Sequence, residues 1–336
     1  MNQQSSLEKI LSYKGLKPFL LKEEWLELGR QFNIDSEEVK QRMRGKIIED
    51  AFLLIAYSYE GVDAILAFNE AISKLSGTPS PDGLIIFKNG SKYLFEVKAK
   101  TQNEWQISKA RLESQKNLAN KLGIELIFVL NLAGYWGIYS IEYIEGNNYK
   151  IEHPKDLKHS IFDRLFEPLI VKVPKGLQIV KEFSKVNNPE CSFNGFATEH
   201  GYLTDYCLIY EGRFARCTLG NHVTALTSIE LRLNSMGSEK IETGELIKVT
   251  HECKSDLLIY DYNFTLDPIH ITQSDTTKDY FDISSFISHA LDSHKEGKLN
   301  LAAAKNYSID LINDLESLSI PLHVFKASEV EDREYI

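Results

Sequence analysis

The 336-residue chain contains no uninterrupted apolar run of about 18 or more residues, which excludes a membrane-spanning helix at the sequence level. Its opening residues, Met1-Asn2-Gln3-Gln4-Ser5-Ser6, lack the apolar core of a secretory signal. Cysteine is scarce: Cys191, Cys207, Cys217 and Cys253 all lie in the second half, at irregular spacings. That pattern fits reduced thiols better than a disulfide framework, and the expected location is cytoplasmic. No C-x-x-C or H-x3-5-H spacing is present, so His200 and the His251-Glu252-Cys253 run are not read as a structural zinc site. There is no internal repeat and no low-complexity segment.

Basic excess is lacking too. The formal charge is −10, unevenly spread: residues 1–150 hold 19 basic and 19 acidic side chains, while 151–336 hold 19 and 29. A nucleic-acid binder often shows a basic domain. Here only the neutral first half could carry a local basic stripe, since field depends on arrangement. The acidic second half is a poor phosphate-binding surface, but it could bind a protein partner or mediate self-association.

What is present is a soluble-protein composition, 43% hydrophobic and 26% charged, at a length that suits two domains. Residues 1–40 are read as an N-terminal helical segment, 41–150 as one α/β domain, and 160–336 as an acidic α+β domain, strand-rich over 170–265 and helical over 283–318. A hinge is expected in the polar stretch 145–155. Residues 22–43 read as two short helices with Ser36 as an N-cap. The spacing of Leu28, Gly29, Asn33, Ile34 and Val39 loosely resembles a helix-turn-helix. Arg42 stands where an apolar residue should close that pattern, so a plain helical hairpin is the better reading. A longer helix follows from Arg42 to about Tyr59, and residues 62–80 could be strand or helix.

The clearest stretch is Leu84–Phe87 and Lys92–Lys98, two strand-like runs around Asn89-Gly90, a strong hairpin signal. A helix over 105–121 closed by Gly123, then strands at 124–130 and 135–139, complete a mixed α/β sheet flanked by helices. Glu96 and Lys98, two apart on a strand, project from one face, and the hairpin brings Asp82 beside them. With a two-residue Asn89-Gly90 turn, Asp82 would face Val97 and point away. A bulge or a three-residue loop would set it opposite Lys98 on the correct face, so an irregular hairpin is expected. Charges on strands usually make a solvated face. Here Leu94, Phe95 and Val97 make the strand largely apolar, and charges without a task would be costly there.

Pro81-Asp82, a hairpin and Glu96-Val97-Lys98 together resemble the PD-(D/E)xK nuclease superfamily, whose members are restriction-endonuclease-like and Holliday-junction-resolvase-like. Arg44-Gly45-Lys46-Ile47-Ile48-Glu49 is similar to the arginine–glycine–glutamate helix of resolvase-like members. Gln115 falls where many members place a glutamine. The resemblance covers residues 40–140. It implies a restriction-endonuclease-like fold and hydrolysis of nucleic-acid phosphodiesters with Mg²⁺ or Mn²⁺, DNA before RNA, in a setting such as restriction or mobile-element defence. It further implies Asp82, Glu96, Glu49 and the Val97 carbonyl as metal ligands, Lys98 as the catalytic cation and Gln115 as a supporting residue. Lys46, Lys100, Lys109, Arg111 and Lys116 could line a phosphate track, and ordinary surface solubility explains each as well. The alternative is a nuclease-like fold used only for binding inside a larger complex.

Overall fold

A computed structural model describes residues 20–33, 37–68, 80–186, 196–197, 200–217, 226, 228–230, 232–233, 238–263 and 322–326. They fall into two compact units that divide between Phe166 and Glu167. The elements of the first unit, numbered here among the described residues, are α1 (Lys22–Gln31), α2 (Glu37–Ser58), β1 (Val62–Ala67), β2 (Gly83–Phe87), β3 (Lys92–Lys100), β4 (Glu104–Gln106), α3 (Lys109–Leu122), β5 (Glu125–Leu132), β6 (Tyr135–Ser140), α4 (Ile141–Gly146), β7 (Lys150–Glu152) and α5 (Phe162–Phe166).

Five strands form the central sheet in the order β1-β2-β3-β5-β6. All neighbours are antiparallel except β3 and β5, which run parallel. The parallel pair needs a crossover, and α3 supplies it. The fold is therefore mixed α/β, consistent with the restriction-endonuclease-like arrangement expected. Val62–Ala67 shows the first part of the ambiguous segment as a strand, residues 69–79 lying outside the described residues, and α2 runs unbroken through the expected junction at Arg42.

Each face of the sheet takes one long helix, with the short α4 packed beside α3 and the short α5 beside α2. Phe52, Ile55, Ala56 and Tyr59 recur at helical spacing and are buried, and Phe52 packs edge-on against Phe95 with ring centroids 5.4 Å apart. On the other face Leu94, Phe128 and Leu130 form a core with Leu112 and Ala119 of α3. Strand alternation thus places Tyr93, Phe95 and Val97 towards α2, and Leu94, Glu96 and Lys98 towards α3.

Two sequence expectations are corrected. The helix expected from residue 105 begins at Lys109, because Trp105 is buried in β4 and pairs with Ile151 of β7. Ser108 then caps α3, its Oγ accepting from the Arg111 N–H at 3.4 Å, and Gly123 ends it in the left-handed region at φ 65°. The hinge expected at 145–155 is instead ordered structure of the first unit. There Asp156 is buried and accepts from Glu152 N at 2.7 Å and Tyr143 Oη at 2.9 Å.

The second unit is strand-rich: β8 (Leu169–Val173), β9 (Gln178–Ser184), β10 (Phe196–Ala197), β11 (Gly201–Tyr210), β12 (Arg213–Arg216), β13 (Ser238–Thr243), β14 (Leu246–Glu252), β15 (Leu257–Tyr260) and β16 (His323–Lys326). One sheet runs β10-β11-β9-β14-β13 with β12 against β11, and a smaller one runs β15-β8-β16. Both surround a core that includes Val171, Ile179, Phe183, Leu208, Ile229 and Val249. Cys207 and Cys217 are free and buried, and burial pushes their thiols up to about 11 and about 12. Neither is an activated nucleophile. The expected helix over 283–318, Ser36 and Cys191 lie outside the described residues.

Candidate active site

The hairpin between β2 and β3 has a three-residue loop, Lys88–Gly90, whose last residue adopts φ 84°. Phe87 N donates to Ser91 O at 2.9 Å, and Asn89 Oδ1 accepts from Ser91 N at 2.9 Å. The irregularity expected from the sequence is present, with the pairing two residues from that anticipated. The regular pairing ends at Gly83 and Phe95, and a continuation of that register would set Asp82 opposite Glu96 rather than Lys98. Either register puts Asp82 on the face shared by Glu96 and Lys98.

The ladder changes at Asp82. Alternate rungs at Phe87–Ser91, Ile85–Tyr93 and Gly83–Phe95 would next bring Pro81 opposite Val97, and proline has no N–H to give. Asp82 N donates to Phe95 O at 2.9 Å, and the Asp82 carboxylate takes the Val97 N–H at 2.6 Å. The Val97 carbonyl, on the same side of the strand, is left to a side chain: Lys98 Nζ donates to it at 2.9 Å. β3 thus outruns β2, and the polar groups gather on the overhang.

Lys98 Nζ lies 2.8 Å from Glu96 Oε1 and 3.8 Å from Asp82 Oδ2. Glu96 is 3% exposed. Its Oε1 also meets Arg111 Nη2 of α3 at 3.4 Å, while its Oε2 is buried with no hydrogen-bond partner. Burial works against the Lys98 ammonium, but the Asp82 and Glu96 carboxylates outweigh it and hold its pKa above the usual lysine value. Burial, opposed by Lys98 and reinforced by Glu96 and then Glu49, pushes the Asp82 carboxyl up to about 7.

The other candidates fall around this centre. Glu49 is half-buried on α2 and acts on Asp82 as a neighbouring negative charge. The helix α2 itself covers the face of the sheet opposite to that of Glu96 and Lys98. Gln115, one turn beyond Arg111 on α3, is 3% exposed, and its Oε1 is buried without a partner. Among the five basic residues considered for a phosphate track, Lys116 pairs with Glu145 at 2.8 Å and Lys109 with Glu113 at 3.8 Å, both away from the carboxylates. The Lys46 side chain lies outside those described. Arg111 touches the centre. Its spacing of four from Gln115 was the available sign, since i and i+4 share a helix face.

Among the described residues no group of three His, Cys, Asp or Glu side chains is set as a ready metal cage. The donor set nevertheless suits a divalent cation. Two buried carboxylates lie side by side, Glu49 adds a third negative charge, and the Glu96 Oε2 lone pairs are unused. A hard cation with oxygen ligands answers all three features.

No protein-family model matches the chain, and no curated protein matches it. Among solved structures it is similar to Hjc of Archaeoglobus fulgidus, described as a Holliday junction resolvase from an archaeal hyperthermophile. That match has 19% identity and a TM-score of 0.27, and covers 36% of this chain and 90% of the other. Among the described residues no helix is long and apolar enough to cross a membrane.

Proposed function

We propose that the first unit is a divalent-metal-dependent nuclease that hydrolyses nucleic-acid phosphodiesters, with DNA as substrate and internal bonds as its target. One observation carries this reading: Asp82, Glu96 and Lys98 converge on the overhang of β3, with Lys98 Nζ 2.8 Å from one carboxylate and 3.8 Å from the other. A solvated strand face would not bury Glu96 to 3% exposure beside an equally buried Val97.

Asp82, Glu96 and the Val97 carbonyl would hold Mg²⁺ or Mn²⁺, with Glu49 adding negative charge. The ion would polarise the phosphate and lower the pKa of a bound water. The protein's own groups do the rest. Lys98, held as an ammonium by its neighbours, offers donors to the charge that develops on the phosphoryl oxygens. Gln115, on the helix that carries Arg111, would offer its buried amide oxygen as an acceptor able to fix the orientation of a donor in the site. The Asp82–Val97 hydrogen bond locks one carboxylate to the backbone of the strand that carries the other.

The test is cleavage of plasmid, linear duplex and single-stranded DNA by the full chain with Mn²⁺, against an EDTA control. Wild type should cut. Lys98→Ala and Asp82→Ala should each lose about 10²-fold or more in rate, the cost of removing one preorganised group. If wild type and both variants behave alike, the carboxylate–lysine cluster is a static ion pair and the unit is a binding module.

A further inference from the structure

We infer that Arg111 grips a phosphate of the substrate backbone beside the Asp82–Glu96–Lys98 centre. This rests on the nuclease reading and assigns that site a substrate contact.

Glu96 Oε1 carries two cations at once. Lys98 holds it at 2.8 Å, a normal charged hydrogen bond, whereas Arg111 reaches it at 3.4 Å, near the limit for one. The two partners differ in exposure: the Glu96 side chain is 4% exposed and that of Arg111 59%. One edge of the guanidinium therefore leans on the buried carboxylate, and most of its remaining donors face outward. A planar fork in that position matches two oxygens of a phosphodiester.

Two nearby cations are already taken up by carboxylates outside the centre. Lys116 is occupied by both Glu145 oxygens at 2.8 and 2.9 Å, and Lys150 by Glu104 at 2.7 Å. The backbone of Arg111 is fixed by the Ser108 cap, and no acidic residue stands in the first turn of α3 to oppose an anion. Gln115, buried one turn later, shares a helix face with Arg111. A cation loosely held by a carboxylate, rigid at its root and open at its tip, is set to exchange that partner for a phosphate.

The test compares wild type, Arg111→Ala, Arg111→Lys and Lys116→Ala by steady-state cleavage of a labelled DNA duplex with Mn²⁺. Binding of the same duplex is followed by anisotropy over a salt series in a Lys98→Ala background, where cleavage does not intrude. Losing a bidentate charged contact should raise KM about tenfold or more in Arg111→Ala, with kcat changed much less. The salt slope of binding should fall by about one, the signature of one lost phosphate contact. Arg111→Lys should keep the slope and recover part of the KM, which also covers the case in which the alanine variant folds poorly. Lys116→Ala should match wild type. A loss confined to kcat would make Arg111 a prop for Glu96 and overturn the inference, as would unchanged KM and slope or an equal effect from Lys116→Ala. Each of those outcomes leaves cleavage by wild type intact. Wild type that neither cuts nor binds removes the nuclease reading, and this inference with it.

Discussion

Asp82 is the side chain whose protonation matters most near neutral pH. Its ordinary pKa of 3.8 is pushed up to about 7 by burial and by Glu96 and Glu49, against the pull of Lys98. Between those two values the folded chain binds a proton that the unfolded chain releases. Stability therefore falls as pH rises through that interval, and the loss is complete above it. In metal-free protein, Asp82→Asn removes this dependence while keeping an oxygen to accept the Val97 N–H. The melting temperature of the variant relative to wild type should climb from about pH 4 to about pH 7, followed by thermal denaturation in EDTA. A difference that stays flat with pH would show the carboxyl titrating in its ordinary range.

At the scale of elements, the two ends of β2 do different work and can be separated by glycine substitutions. A Cβ on Gly83 would overlap the Leu66 carbonyl oxygen and the Phe95 ring, so the strand next to Asp82 must shift to admit it. Gly83→Ala should cost about 1–3 kcal/mol of stability and lower cleavage as well, since Asp82 moves with its neighbour. Gly90, at φ 84° in the loop, has open space around it and strains only the backbone. Gly90→Ala should cost about 1–2 kcal/mol and leave kcat alone, because it lies at the far end of the strand. Melting curves paired with kcat for the two variants check this; wild-type kcat in Gly83→Ala would show that the strand's position does not set Asp82.

Much of this element-level picture was legible in the sequence. Asn89-Gly90 announced the hairpin, the two-residue spacing of Glu96 and Lys98 fixed their shared face, and Gly123 marked the end of α3. The need for an irregular loop followed from parity alone. The exact register did not, because a three-residue loop centred on Asn89 and one centred on Gly90 satisfy the same parity. β4 was misread as helix because three residues carry too little pattern to show pairing with β7, some 45 residues away. The face of the sheet that α2 covers was also hidden. Helical periodicity says which side of α2 is buried, not which face of the sheet it covers.

Across the whole molecule, the second unit holds a buried polar cluster that has no part in the proposed chemistry. Glu230 Oε1 meets Lys181 Nζ at 2.5 Å and His251 Nε2 at 3.0 Å, and its Oε2 accepts from Tyr206 Oη at 3.1 Å. Burial holds the His251 pKa below its usual value against the attraction of Glu230. Removing Glu230 strands a lysine among Phe183, Tyr206 and apolar neighbours, and breaking a buried pair in this way costs about 3–5 kcal/mol. Glu230→Ala should therefore lower a calorimetric transition by several degrees while leaving DNA cleavage per folded molecule unchanged. A parallel fall in specific activity would tie this cluster to the catalytic unit.

The imino acid ahead of Asp82 has a consequence for the sheet as a whole. A zipper of backbone amides that ran to its end would stitch Val97 into its neighbour and leave only a smooth, sealed border. Pro81 jams the zipper one tooth early. What stays open is the last stretch of β3, whose far edge remains laced to β5 as far as Lys100 and Leu132, so the exposed edge is braced from the side that faces away from β2.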